Sequence, residues 1–250
     1  DNYSWNIYPN SGFSYQGGTN SSSDNIELQI QKSGIYSVEL IVSNYYGNDT
    51  IFWDHKIVAG DSKGGYCKTS TSGTSTSGSG IFRVELEQID FSSMGYNGSV
   101  SNVDNACTEG AFLYYDSLVS LSVTTGSSVP EYIKAYIDYN NDGDFVDAGE
   151  EIASFTSGTG KRTMQFKTSS SPFSNNAIRM RVVSDVNSIS GPCAGLSKGE
   201  SEDYSVWFDA PQAEIFFSDT NVCPNQTITI NSVWEGKADS VSWDFGAWAS

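Results

Sequence analysis

Apolar residues in this chain recur at every second position over short runs, and the runs are separated by Gly, Ser, Thr, Asn and Asp. Tyr36, Val38, Leu40 and Val42 alternate with Ser37 and Glu39, and Val119, Leu121 and Val123 alternate with serines. Ile178, Met180 and Val182 alternate with Arg179 and Arg181. A period of two sends successive side chains to opposite faces of an extended strand, so each run has one face to bury and one to wet. Strong helix formers are scarce, while β-branched and aromatic residues fill the runs. The pattern predicts an all-β chain whose half-buried strands build β-sandwiches.

At 250 residues the chain is long enough for one large or two ordinary domains, each with a core of its own. Residues 69–80 are all Ser, Thr and Gly, the composition of a flexible linker or of a long surface loop. Residues 60–65 and 209–211 are the other plausible joints, which divides the chain into 1–60, 61–209 and 210–250. The outer segments share a small signature: Tyr3, Ser4, Trp5, Asn6 and Ile7 are echoed by Val241, Ser242, Trp243, Asp244 and Phe245.

Thirty acidic against thirteen basic residues give a net charge of −17, which makes nucleic acid and anionic membranes poor partners. No run approaches the ~20 apolar residues that a membrane-spanning helix requires. Asp1 opens no signal peptide, so the expectation is a soluble, mature or excised piece. Cys67, Cys107, Cys193 and Cys223 lack C-x-x-C spacing and the chain has one histidine, which argues against zinc. An oxidising, extracellular setting is the simplest context for four such cysteines. Any Ser/His/Asp or Cys/His centre would have to use His55, yet no nucleophile elbow accompanies it, and its neighbours alternate as a strand. The chain reads as non-enzymatic.

One stretch carries metal chemistry. Asp138, Asn140, Asp142, Asp144, Asp147, Glu150 and Glu151 crowd around Gly143. Ca²⁺ takes six to eight oxygens, and a loop supplies them from alternate positions around a turn glycine. Asp138, Asn140, Asp142 and Gly143 fit the first, third, fifth and sixth places of D-x-[DN]-x-[DN]-G, with Asp144 at the seventh. The twelfth place is Gly149, and the closing acid falls one later, at Glu150. Residues 132–137 before the loop alternate as a strand, so this is not an EF-hand. The expected site is a structural Ca²⁺ held by Asp138, Asn140, Asp142, Asp144 and Glu150. Glu200, Glu202 and Asp203 either add a ligand, if their strand lies beside residues 132–137, or form a solvated edge that deters aggregation.

In combination, the middle of the chain resembles the GEVED domain of secreted bacterial proteins. The features run in order: Tyr66 and Cys67, the run 137–145 followed by Asp147 to Glu150, the strand 178–182, Gly191-Pro192-Cys193, and Gly199-Glu200-Ser201-Glu202-Asp203-Tyr204. Ser201 stands where the family name has valine. Residues 3–59 and 211–250 resemble the later and earlier parts of PKD-type immunoglobulin-like domains. The resemblance implies an all-β GEVED-like sandwich between two partial PKD-type sandwiches, and a Cys67–Cys193 disulfide. It also implies a place in large secreted or surface proteins of Bacteroidota, similar to type IX secreted adhesins. The expected role is a calcium-stabilised repeat segment of an extracellular adhesin or fibre. Its expected partners are neighbouring repeats of the same polypeptide or neighbouring subunits, and surface glycans or proteins. The alternative is an accessory glycan- or protein-binding module of a secreted hydrolase.

Overall fold

The structure is a computed structural model. It describes residues 2–60, 65–74, 78–98, 100–172, 176–209, 212–218, 221, 223, 226–235 and 242. Among these, regular structure is entirely β.

The first strands are β1 (Asn2–Tyr8), β2 (Phe13–Gln16), β3 (Glu27–Ile30), β4 (Gly34–Asn44) and β5 (Gly47–Ala59). They form an antiparallel sheet in the order β1-β4-β5 and a separate β2-β3 hairpin. Ile7, Tyr36 and Val38 are buried together, with Trp5, Phe13, Leu28, Ile30 and Ile57 packed around them. Polar ends of the aromatics are satisfied: Trp5 Nε1 donates to the Ser23 carbonyl at 2.9 Å, and the Tyr36 hydroxyl lies within 3.1 Å of the Gly12 and Lys32 carbonyls. Ile51, Phe52 and Trp53 on β5 remain exposed. His55 lies within β5, as the alternation predicted.

The middle of the chain supplies twelve strands among the described residues, starting with β6 (Ser70–Thr71), β7 (Ile81–Leu86), β8 (Ile89–Ser92), β9 (Asn102–Asp104), β10 (Gly110–Tyr114) and β11 (Leu118–Thr125). There follow β12 (Glu131–Ile137), β13 (Glu151–Gly158), β14 (Lys161–Lys167), β15 (Ile178–Asp185), β16 (Gly195–Leu196) and β17 (Glu200–Asp209). One sheet runs β10-β17-β15-β12-β13 with β9 also on β17, and the other runs β14-β11-β7-β8. Their facing sides form one core. Val84 and Leu86, Leu121 and Val123, Ile133 and Ile137, Met180 and Val182, and Tyr204 and Val206 all meet there, each at alternate positions of its strand. Ser120, Ser122 and Thr124 of β11 take the other face, where Ser122 pairs with Thr163 across the strands at 2.6 Å.

Three features depart from the sequence reading or resolve an alternative in it. Residues 69–74 are held against the domain rather than bridging domains: β6 pairs with β16, and the Thr69 hydroxyl bonds the Ser101 carbonyl at 2.6 Å. Strand β15 is buried on both faces, because the Arg179 and Arg181 side is roofed by Tyr66, Phe145, Ile189 and Leu196. Lastly, Glu200, Glu202 and Asp203 are neither a solvated edge nor neighbours of β12. They sit on an interior strand with β15 between them and β12, and each is almost wholly buried.

After the sandwich come β18 (Gln212–Phe217) and β19 (Ile230–Glu235), an antiparallel hairpin on which Ile215, Phe216, Phe217 and Val233 are exposed. The residues matching the tryptophan signature at 241 and 243–245 lie outside the described residues.

Candidate metal centre

The acidic stretch is the connection between β12 and β13, two antiparallel neighbours. A connection of this length needs its own internal bonds, and its carboxylates supply them. Asp138 accepts N–H groups from Asp142 at 3.1 Å and Gly143 at 3.0 Å, which curls the chain into its first turn. Asn141 and Gly143 take positive φ angles of 56° and 106° there, conformations that Asn tolerates and Gly adopts freely. Asp142 then accepts from Asp144 N at 3.1 Å, and Asp144 accepts from Val146 N at 3.0 Å. Glu150 closes the loop, accepting Tyr139 N at 3.0 Å and Asp147 N at 3.2 Å.

These bonds divide the predicted ligands into two sets. Asp138 and Glu150 are buried at the base of the loop as acceptors of main-chain N–H groups. Burial first, and then the charges of Asp138 and Asp147, push the Glu150 carboxyl up to about 7. Asp142, Asp144 and Asp147 form the exposed set, each offering a carboxylate oxygen, all within 4.8 Å of one another. Asn140 bridges this set, its amide nitrogen donating to Asp142 at 3.0 Å and Asp147 at 2.6 Å. Asp147 was absent from the predicted ligands. Its signal was present in the local excess of acids, but it falls at an even place in the loop, outside the alternate-position pattern.

The base of the loop is fastened to the rest of the domain. The Tyr66 hydroxyl donates to Asp138 at 2.6 Å across 72 residues of sequence, and its ring lies 5.1 Å from that of Phe145. Arg179 lies over the Tyr66 ring at 4.9 Å and Arg181 over the Phe145 ring at 5.0 Å. Arg181 also grips Asp203 with two bonds, of 2.6 and 2.7 Å, and donates to the Cys67 and Pro192 carbonyls. Arg179 reaches Asp203 and Asp104 at 3.2 and 3.1 Å. Cys67, next to Tyr66, is disulfide-bonded to Cys193; Cys107 and Cys223 take no part in that bond. The acidic loop, an arginine–aspartate–aromatic stack and the disulfide are therefore one contiguous structure.

With a hard oxygen donor set and, among the described residues, no histidine or cysteine grouped with it, this arrangement suits a hard divalent cation such as Ca²⁺ better than zinc. No curated protein matches this chain. Residues 132–207, which run from β12 through the acidic loop and both arginines to β17, match the GEVED domain family.

Proposed function

We propose that this chain is a non-catalytic, calcium-stabilised segment of a large bacterial cell-surface or secreted adhesin or fibre, packed end to end with neighbouring repeats or subunits. The observation that carries the calcium part is the convergence of Asp142, Asp144 and Asp147 at the tip of a loop whose base is already fixed. Three carboxylates this close repel one another, and a bound divalent cation removes that repulsion. Asn140 would join the set on a half-turn of its amide, which presents Oδ1 in place of Nδ2 and gives up the bond that Oδ1 accepts from the Asp142 N–H. The exposed apolar residues of β5 and of the β18-β19 hairpin support packing against further modules. The Cys67–Cys193 bond supports an extracellular location.

Calorimetric titration of Ca²⁺ into the protein tests this reading. The expected outcome is saturable binding with a Kd at or below about 1 mM, as in extracellular calcium modules, lost in Asp142→Ala. A melting temperature unchanged by excess chelator, together with no binding heat, would overturn it.

A second reading, an accessory module that binds glycan or protein for a secreted hydrolase, draws on Tyr45 and Tyr46, residues 95% and 92% exposed at the β4-β5 turn. Glycan-array binding abolished by Tyr45→Ala would favour it over the structural role.

A further inference from the structure

The sandwich core contains three glutamates. Glu131 opens β12 and points with Ile133, Ala135 and Ile137 into the space between the sheets; Glu200 and Glu202 share the inward face of β17 with Tyr204 and Val206. Their exposures are 0%, 3% and 0%. Two of them cross from one sheet to the other. Glu131 accepts the Gly80 N–H and Glu200 the Ile81 N–H, each at 2.8 Å, at the very start of β7. Gly80 is suited to this place: its φ is +98°, and a Cβ there would stand 2.5 Å from the Glu200 carboxylate and 2.1 Å from the Tyr96 nitrogen. Glu202 receives the Tyr204 hydroxyl.

Among the described residues no ion pair reaches any of the three. Arg162 on β14 is the cation whose charge acts on Glu131, opposing the effect of burial, but its Nη groups bond the Glu131 and Thr156 carbonyls and the Thr125 hydroxyl, and its Nε is buried with no partner. Arg83 and Glu85 on β7 are engaged outside the core, with Asp90 and Lys161. On β15, Asp185 accepts Ser197 and Lys198 N–H groups, while Ser184 stands beside Glu131 without bonding geometry. Ser93, beside Glu202, gives its proton to the Ile81 carbonyl. Glu109, near Tyr204, adds negative charge. Glu131 Oε2 and Glu202 Oε1 are left buried with no partner. The three carboxylates do not converge as a metal cage, since the one acidic group close enough among the described residues is Asp142, Asp144 and Asp147. A proton is the remaining counter-charge for a carboxylate in such surroundings.

We propose that Glu131, Glu200 and Glu202 form a proton-operated clasp between the two sheets, closed when the carboxyls are neutral and loosened when they ionise. Burial is the main cause in each case: it pushes Glu131 up to about 7, Glu200 up to about 8, and Glu202 upward. The folded protein thus holds protons that the unfolded chain releases above the ordinary carboxyl value of 4.5. The clasp's contribution is complete below that value and declines as pH rises through about 7 to 8. The Gly80 and Ile81 N–H bonds favour the charged form and oppose this push, but burial outweighs them, so ionisation strains the packing of the two sheets around the start of β7.

Carboxyl carbon NMR of the whole chain tests the clasp residue by residue, without relying on any variant to fold. Midpoints near 7 and 8 for Glu131 and Glu200 are expected; midpoints near 4.5 would overturn the proposal. In thermal melts, the native protein should lose roughly 5–10 °C between pH 5 and pH 9. The double variant Glu131→Gln, Glu200→Gln keeps a neutral acceptor at every pH and should lose less than half of that. Equal losses in both proteins would also sink the clasp.

Discussion

Glu202 and Asp203 are consecutive residues on β17, both buried, and the fold treats their charges in opposite ways. Asp203 points to the outer face of its sheet, where Arg181 grips it with two bonds and Arg179 adds a third. Glu202 points into the core, where no cation of the described residues reaches it and a tyrosine hydroxyl is its donor. The same burial has different consequences because charge can be neutralised by a partner on one face and only by a proton on the other. The outer face holds a charged network under a roof of aromatic rings. The inner face is an apolar core with three acids that fit when uncharged.

The comparison is broken most severely on the outer face. Arg181→Met removes the partner of Asp203 and leaves a buried anion, and a loss of about 3–5 kcal/mol in urea unfolding is expected. Arg181 also caps the Cys67 carbonyl, so the substitution disturbs the disulfide's surroundings as well. A loss below about 1 kcal/mol would mean that Arg179 alone neutralises Asp203. Tyr66→Phe is the sharper test. It keeps the ring on Arg179 and Phe145 and deletes only the hydroxyl that Asp138 receives. A loss of about 1–2 kcal/mol is expected, with faster hydrogen exchange at the Asp142 and Gly143 amides. Unchanged exchange there would separate the acidic loop from the arginine stack. The smallest effect belongs to an exposed pair. Arg83 and Asp90 meet at 2.6 Å in water, and Arg83→Met should leave the melting temperature within measurement error. A clear drop would show that surface charge matters more to this domain than its buried networks suggest.

The parts legible in the sequence are those that local periodicity decides. Alternation located the strand containing Val119, Leu121 and Val123 and the strand at 132–137, and the same pattern gave the inward face of β15. The acidic loop was legible because ligand chemistry imposes a short spacing. Residues 200–203 were misread because four polar residues in a row look like an edge. Their burial depends on β9, which adds in parallel from about a hundred residues upstream, and on β15 from the other side. The roof over Arg179 and Arg181 was equally hidden, since Tyr66 and Phe145 come to it from far upstream and Ile189 and Leu196 from the segment that follows β15. Tyr66 itself carries no local mark of its bond to Asp138. Which residues meet across the sheet is a property of the topology, and a strand's own sequence records only the period.

The Cys67–Cys193 bond joins residues 126 positions apart, just before β6 and just before its parallel partner β16. Tension applied to the chain outside these two cysteines passes directly from one to the other. The strands from β7 to β15, with the acidic loop and Glu131, lie outside that load path, whereas Glu200 and Glu202 on β17 follow Cys193 and lie within it. A stretched domain of this design withholds on the order of 400 Å of chain that pulling would otherwise release. Its resistance to extension is set by the segments beyond the cysteines, β17 with Glu200 and Glu202 among them, while the cation site is spared from force.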